Sequence, residues 1–94
     1  MTIKDRISTK KIDEYYAITN KALQIAKKSL YQGKKAEATK IFVMVEAYLS
    51  DSLYFKKKGD YVNSFGAINY AHGWLDSGAQ LKIFKVNDNT LFSI

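Results

Sequence analysis

Residues 59–84 read GDYVNSFGAINYAHGWLDSGAQLKIF and hold four of the five glycines, the only tryptophan and the only histidine. Gly59 suits a left-handed residue that closes a preceding helix, and the Asp60 carboxylate can cap the following one. At 100° per residue, the segment predicts a helix with two apolar stripes. The first stripe, on the predicted core side, comprises Tyr61, Phe65, Ile68, His72, Leu75, Ala79 and Ile83. The second comprises Ala67, Tyr70, Ala71, Trp74 and Leu81.

Two further helices are predicted before this segment. Ser8 or Thr9 is a candidate cap for the first, and a lysine run at 56–58 favours the end of the second. Because the connections are short, we predict an all-α, up-and-down three-helix bundle in a single domain, residues 1–94. The predicted helices span about 9–31, 35–57 and 60–84.

A short C-terminal extension, residues 85–94, which we also call the tail, follows the third predicted helix. It contains a turn-prone Asn87-Asp88-Asn89 and ends in an apolar pattern. A strand, a docked extended segment and a disordered tail are all compatible with this pattern. The apolar residues favour docking.

Composition limits the class of protein. With 47% hydrophobic and 26% charged residues, the chain is typical of a folded globular domain. The absence of cysteine excludes disulfides and thiolate metal sites and fits a reducing compartment. No apolar run is long enough for a membrane span. We therefore expect a soluble cytoplasmic protein without a membrane partner.

The net charge of +6 is spread over short lysine clusters, and arginine occurs only once, at Arg6. Arginine is the residue preferred for bidentate phosphate contacts. A solvated lysine surface is therefore the leading interpretation. The alternative is weak, sequence-independent nucleic-acid binding, with tyrosines near the lysines available for base stacking.

A polar cluster is predicted on the third helix, where Asn69, His72 and Asp76 share one face. A carboxylate beside an imidazole is half of a catalytic or metal-binding arrangement, but the chain has no second histidine and no cysteine. The preferred interpretation is a hydrogen-bonded group at the core edge that fixes helix register or docks the tail. We predict no catalytic residue, metal or cofactor.

The second stripe around Tyr70, Trp74 and Leu81 is the candidate interaction surface. One stripe per helix suffices for a three-helix core, so this stripe is either additional core or an exposed aromatic patch. A strip of small residues (Gly66, Gly73 and Ser77) serves either close packing inside the bundle or association. The leading hypothesis is a non-enzymatic protein-interaction module whose partner is a second copy or an unknown protein.

The residues KKGDYVNSFGAINYAHGWLDSG (Lys57–Gly78) resemble the signature of a small archaeal helical family, domain-of-unknown-function family 357 (DUF357). The resemblance is carried by the KGD turn and by the run NYAHGWLDSG, and it covers the C-terminal half most strongly. It implies an up-and-down three-helix bundle. It implies no activity and no catalytic or binding residues.

Overall fold

A computed structural model describes residues 1–94 and contains three helices and no strands. The helices are α1 (Thr9–Lys27), α2 (Lys35–Lys57) and α3 (Tyr61–Gln80). They run up and down, and α3 packs most extensively against α2 and less against α1. The prediction of an all-α three-helix bundle is confirmed. None of the helices combines the length and the apolar character needed to cross a membrane.

Two side-chain caps begin helices where the sequence predicts them. The Ser8 hydroxyl accepts a hydrogen bond from the Lys11 N–H at 3.1 Å and caps α1. The Asp60 carboxylate accepts from the Asn63 N–H at 3.1 Å and caps α3. Each bond satisfies a donor that a helix N-terminus would otherwise leave unpaired.

Gly59 sets the position at which α2 ends. Gly59 has φ 77° and donates its N–H to the Lys56 carbonyl, while the Asp60 N–H reaches the Phe55 carbonyl. This is a Schellman motif, in which a left-handed residue lets the chain satisfy the last carbonyls. The turn brings α3 back antiparallel to α2.

The third helix ends by the same motif but four residues before the predicted 84. Lys82 occupies the left-handed position with φ 58°, and its N–H bonds to the Ala79 carbonyl at 3.2 Å. The Ile83 N–H reaches the Gly78 carbonyl at 2.9 Å. The chain therefore leaves the helix after Gln80.

The first helix also ends four residues early, at Lys27 rather than 31. The connection that follows pairs with the segment after α3 instead of continuing the helix. Leu30 and Phe84 form an isolated antiparallel bridge, and the Tyr31 N–H donates to the Ile83 carbonyl at 3.0 Å. Backbone pairing between distant segments thus replaces the last predicted turn of each helix.

The core draws on all three helices and on the C-terminal extension. Leu91 and Phe92 are buried in it, so the extension is docked. Phe84 stacks on Phe42 with ring centroids 5.3 Å apart, and its ring lies against Gly78. The main cluster comprises Ala22, Leu23, Ala26, Ala38, Ile41, Val45, Leu49, Ala71, Leu75, Ala79, Ile83, Phe84, Leu91 and Phe92.

Candidate functional site

The second apolar stripe of α3 divides between core and solvent. Ala67 and Ala71 are buried. Tyr70 and Leu81 are 67% and 70% exposed, and Trp74 is 39% exposed. The side of α3 that remains uncovered is termed the outer face. It comprises Asn69, Tyr70, Gly73, Trp74, Ser77 and Leu81.

Three neighbouring grooves follow this outer face. The largest, about 400 Å³, lies between α1 and α3, and a groove of about 350 Å³ runs along α3 itself. A third, of about 190 Å³, lies between α2 and α3. Their lining includes Asp51 and Asp76 but none of the fifteen lysines and arginines of the chain. No cationic side chain thus lines these three grooves, and Lys11 lies at their edge, with its Nζ 5.7 Å from the centre of the Tyr15 ring. The groove between α1 and α2 likewise has no lysine or arginine in its lining.

The glycines of the predicted small-residue strip lie in open space. A Cβ atom added at Gly66 or Gly73 would meet nothing within 4 Å. Neither glycine is needed for a close contact within the bundle, so packing inside the bundle does not account for them. Beside Gly66, Tyr70 stacks on Tyr48 of α2 with ring centroids 5.4 Å apart, which holds its ring along the groove.

His72 joins α1, α3 and the C-terminal extension. Its Nε2 lies 2.7 Å from the Leu91 carbonyl oxygen, and its Nδ1 lies 2.9 Å from the Thr19 hydroxyl. A carbonyl can only accept, so Nε2 carries a proton, and in the neutral ring Nδ1 accepts from Thr19. Both ring nitrogens are occupied by protein atoms. The imidazole therefore has no free lone pair for a ligand or for proton transfer.

Asp76 holds the same extension one helical turn further on. Its carboxylate accepts from the Ser93 N–H at 2.8 Å, and Gln80 donates to the Ser93 carbonyl at 3.0 Å. The His72 Nε2 is 3.7 Å from the Asp76 carboxylate. Asn69, the third member of the predicted cluster, is exposed and bonds to neither side chain. Thr19 and the tail backbone take the place expected for it.

The arrangement is suited to fastening the tail rather than to chemistry. No group of three or more His, Cys, Asp or Glu side chains is close enough to hold a metal ion. Every buried side-chain polar atom has a hydrogen-bond partner. Nothing in the local sequence marked Thr19 as the partner of a histidine 53 residues away.

Lysines that are scattered along the sequence meet at one end of the bundle, where α1 and α3 finish and α2 begins. The pairing of residues 29–31 with 83–85 brings the flanking lysines together. We call this region the basic end. It comprises Lys27, Lys28, Lys34, Lys35, Lys82 and Lys85.

Comparison with known proteins gives a family but no relative of established activity. No curated protein and no solved structure matches the chain. A model of the family described as a protein of unknown function, DUF357, matches residues 14–84. That match covers well over half of the chain and includes the KGD turn and the NYAHGWLDSG run. The chain therefore belongs to the DUF357 family, as those two motifs predict.

Proposed function

We propose that this protein is a small, non-enzymatic interaction module that self-associates through the outer face of α3. The observation that carries the proposal is an exposed helix face that bears aromatic side chains and no cation. Protein interfaces are depleted in charged residues at their centre and enriched in tyrosine and tryptophan. Tyr70 and Trp74 are such residues, and they are held on a rigid helix.

Charge favours a second copy of the chain as the partner. Each copy carries a net charge of +6, so most ways of bringing two copies together oppose lysines to lysines. The lining of the grooves along α3 contains no lysine or arginine, so contact there reduces this repulsion. The outer face is therefore a surface through which two copies can approach without directly opposing lysines.

Shape supports the same partner. Gly66 and Gly73 leave open space beside the aromatic side chains, so a Trp74 ring of the second copy has room to enter the grooves. A stable interface needs about 800 Å² from each partner, more than one helix face supplies. Tyr15 and Ile18 of α1 line the adjoining groove and are about 40% exposed, which extends the surface beyond α3.

The proposal places the module in the cytoplasm, in keeping with a chain that contains no cysteine. An archaeal source is a prediction from the family resemblance. The absence of enzymatic activity is part of the proposal, and it is supported by the engagement of both His72 ring nitrogens by protein atoms.

The direct test is the substitution Trp74→Lys, measured by light scattering after size exclusion. The wild-type protein is expected to have twice the mass of one chain, and Trp74→Lys the mass of one chain. The matched control is Val43→Lys on α2, which is 60% exposed and lines none of the grooves. It is expected to remain dimeric, and both variants should keep the helical circular dichroism signal.

Single cysteines locate the contact, because the chain has none of its own. Under mild oxidation, a cysteine at the two-fold axis meets itself and forms a linked dimer. At least one of Tyr70→Cys, Gly73→Cys and Ser77→Cys should crosslink, whereas Val43→Cys should not. A wild-type protein that is monomeric at all concentrations, or a Trp74→Lys variant that stays dimeric, would refute the proposal.

A further inference from the structure

The basic end is assembled by tertiary structure. Four of its lysines flank or lie in the connection between α1 and α2, and the other two follow α3. The backbone bonds from Tyr31 to Ile83 and from Lys85 to Ser29 join these two stretches. Five of the six lysines are exposed, and Lys34 is half-buried. Six of the fifteen cationic side chains thereby lie at this end of the bundle.

Few carboxylates offset this charge. Lys34 pairs with Glu37 at 3.5 Å and Lys27 with Glu46 at 3.6 Å. The Glu37 backbone N–H and the neighbouring Lys34 hold the pKa of the Glu37 carboxyl below its usual range, so it stays ionised. The other four lysines make no salt bridge: Lys28, Lys35, Lys82 and Lys85.

Helix dipoles account for part of this arrangement only. Lys27 and Lys82 lie at helix C-termini, where a cation is stabilising. Lys34 and Lys35 lie at the N-terminus of α2, where the partial charge is already positive and a cation is disfavoured. Lys34 is the N-cap residue, and its side chain caps no N–H group. The helix dipole therefore does not explain why lysines occupy these two positions.

We infer that the basic end is a binding surface for the phosphate backbone of a single-stranded nucleic acid. Lysines act as point charges that contact phosphates without reading sequence. Tyr31 lies between Lys28 and Lys34 in the sequence and is half-buried. It supplies an aromatic side chain on which a base can stack. The basic end shares no residue with the outer face of α3, so this inference does not depend on the proposed function.

Two variants with equal charge and different positions test the inference. The first replaces Lys28, Lys35, Lys82 and Lys85 by glutamine. The matched control replaces four lysines without salt bridges elsewhere: Lys4, Lys11, Lys57 and Lys58. Each variant loses four positive charges, which takes the net charge from +6 to +2.

Binding of a fluorescent single-stranded RNA of mixed sequence is measured by anisotropy over a salt series. For about four phosphate contacts, log K should fall with log salt at a slope of about −3. The basic-end variant should bind at least about tenfold more weakly at about 50 mM salt, with a shallower slope. The control variant should bind within about twofold of the wild-type protein.

Three results would overturn the inference. Equal losses in both variants would mean that net charge alone attracts the RNA. If the wild-type protein did not bind the RNA at low salt, the basic end would not be a nucleic-acid-binding surface. Binding to phosphatidylserine vesicles that requires the same four lysines, without RNA binding, would assign the basic end to a membrane surface instead. Tyr31→Leu should weaken RNA binding in the wild-type background if a base stacks there.

Discussion

Gly78 and Gly73 lie on the same helix, five residues apart, in opposite surroundings. A Cβ at Gly78 would overlap the ring of Phe84, whereas a Cβ at Gly73 would meet nothing within 4 Å. Gly78 is therefore needed by the inner packing of α3, and Gly73 is not. One side of the helix is filled by α2 and the docked tail, while the other is free for a partner.

This difference separates stability from function within one helix. On the inner side, Gly78 leaves the space that the ring of Phe84 occupies. On the outer side, glycine carries its usual cost of about 1 kcal/mol relative to alanine without a compensating contact in the chain. Contact with a partner at Gly73 would compensate for this cost.

The largest effect is expected at the tail. Phe92 is 2% exposed in the core, so Phe92→Ala should destabilise the protein by about 3–5 kcal/mol through lost burial and a cavity. Urea denaturation measures the loss. Ile94→Ala, in the same tail but at a residue 58% exposed, is the control and should change stability by no more than about 0.5 kcal/mol. A small loss for Phe92→Ala would mean that the tail contributes little to the inner side.

The next effect is expected at the fastening of the tail. His72→Ala removes two hydrogen bonds and leaves the Leu91 carbonyl and the Thr19 hydroxyl without partners, at a cost of about 2–3 kcal/mol. His72→Gln keeps a donor for the Leu91 carbonyl and should recover part of the loss. Amide hydrogen exchange of residues 88–93 should rise in His72→Ala. Unchanged exchange there would show that His72 does not hold the tail.

Alanine substitution of Gly78 is expected to have a smaller effect on stability than the two changes above. Gly78→Ala should lower the free energy of unfolding by about 1–2 kcal/mol, because the Phe84 ring is buried and stacked on Phe42 and cannot move aside freely. The measurement is best made in the Trp74→Lys background, which the proposed function expects to be monomeric. A Gly78→Ala variant as stable as its parent would mean that the Phe84 ring adjusts easily.

The opposite sign is predicted for Gly73→Ala in the same Trp74→Lys background. The new methyl group enters open space and the helix gains propensity, so stability should rise by up to about 1 kcal/mol. In the wild-type background, the same change should weaken dimerisation, because the methyl group narrows the groove. If Gly73→Ala lowered the free energy of unfolding in the Trp74→Lys background, the space beside Gly73 would not be open as described.

The smallest effect concerns pH. Hydrogen bonds from the Thr90 hydroxyl and the Thr90 N–H hold the pKa of the Asp88 carboxyl below its usual range. Because the folded tail favours ionised Asp88, its contribution is complete above the unfolded-state pKa and is lost as pH falls through the folded-state pKa. Thr90→Val should raise the Asp88 pKa in a carbon-13 NMR titration. An unchanged titration would exclude the hydroxyl as a cause.

Helix ends illustrate how far the sequence can be read. The end of α2 is predictable because Gly59 is the residue that adopts positive φ without strain. The end of α3 uses the same motif with Lys82, and lysine carries no local signal for φ 58°. Pairing of the following residues with the α1–α2 connection imposes that conformation. Prediction therefore fails where a contact distant in sequence outweighs local preference.

The candidate sites divide in the same way. Tyr70, Trp74 and Leu81 were identifiable as a second stripe, but periodicity alone does not say which side of a doubly apolar helix is covered. The pairing of His72 with Thr19 and with the Leu91 backbone joins three separate segments. No spacing along one helix predicts such contacts.

By itself, the sequence determined three helices, the side-chain caps of α1 and α3 and much of the buried side of α3, because these depend on periodicity and on hydrogen bonds between near neighbours. Only the tertiary structure decided that the tail is docked, that the outer face of α3 is open and that six lysines meet at one end. Each of these features depends on which segments distant in sequence come into contact. That choice is made by the packing of the whole chain.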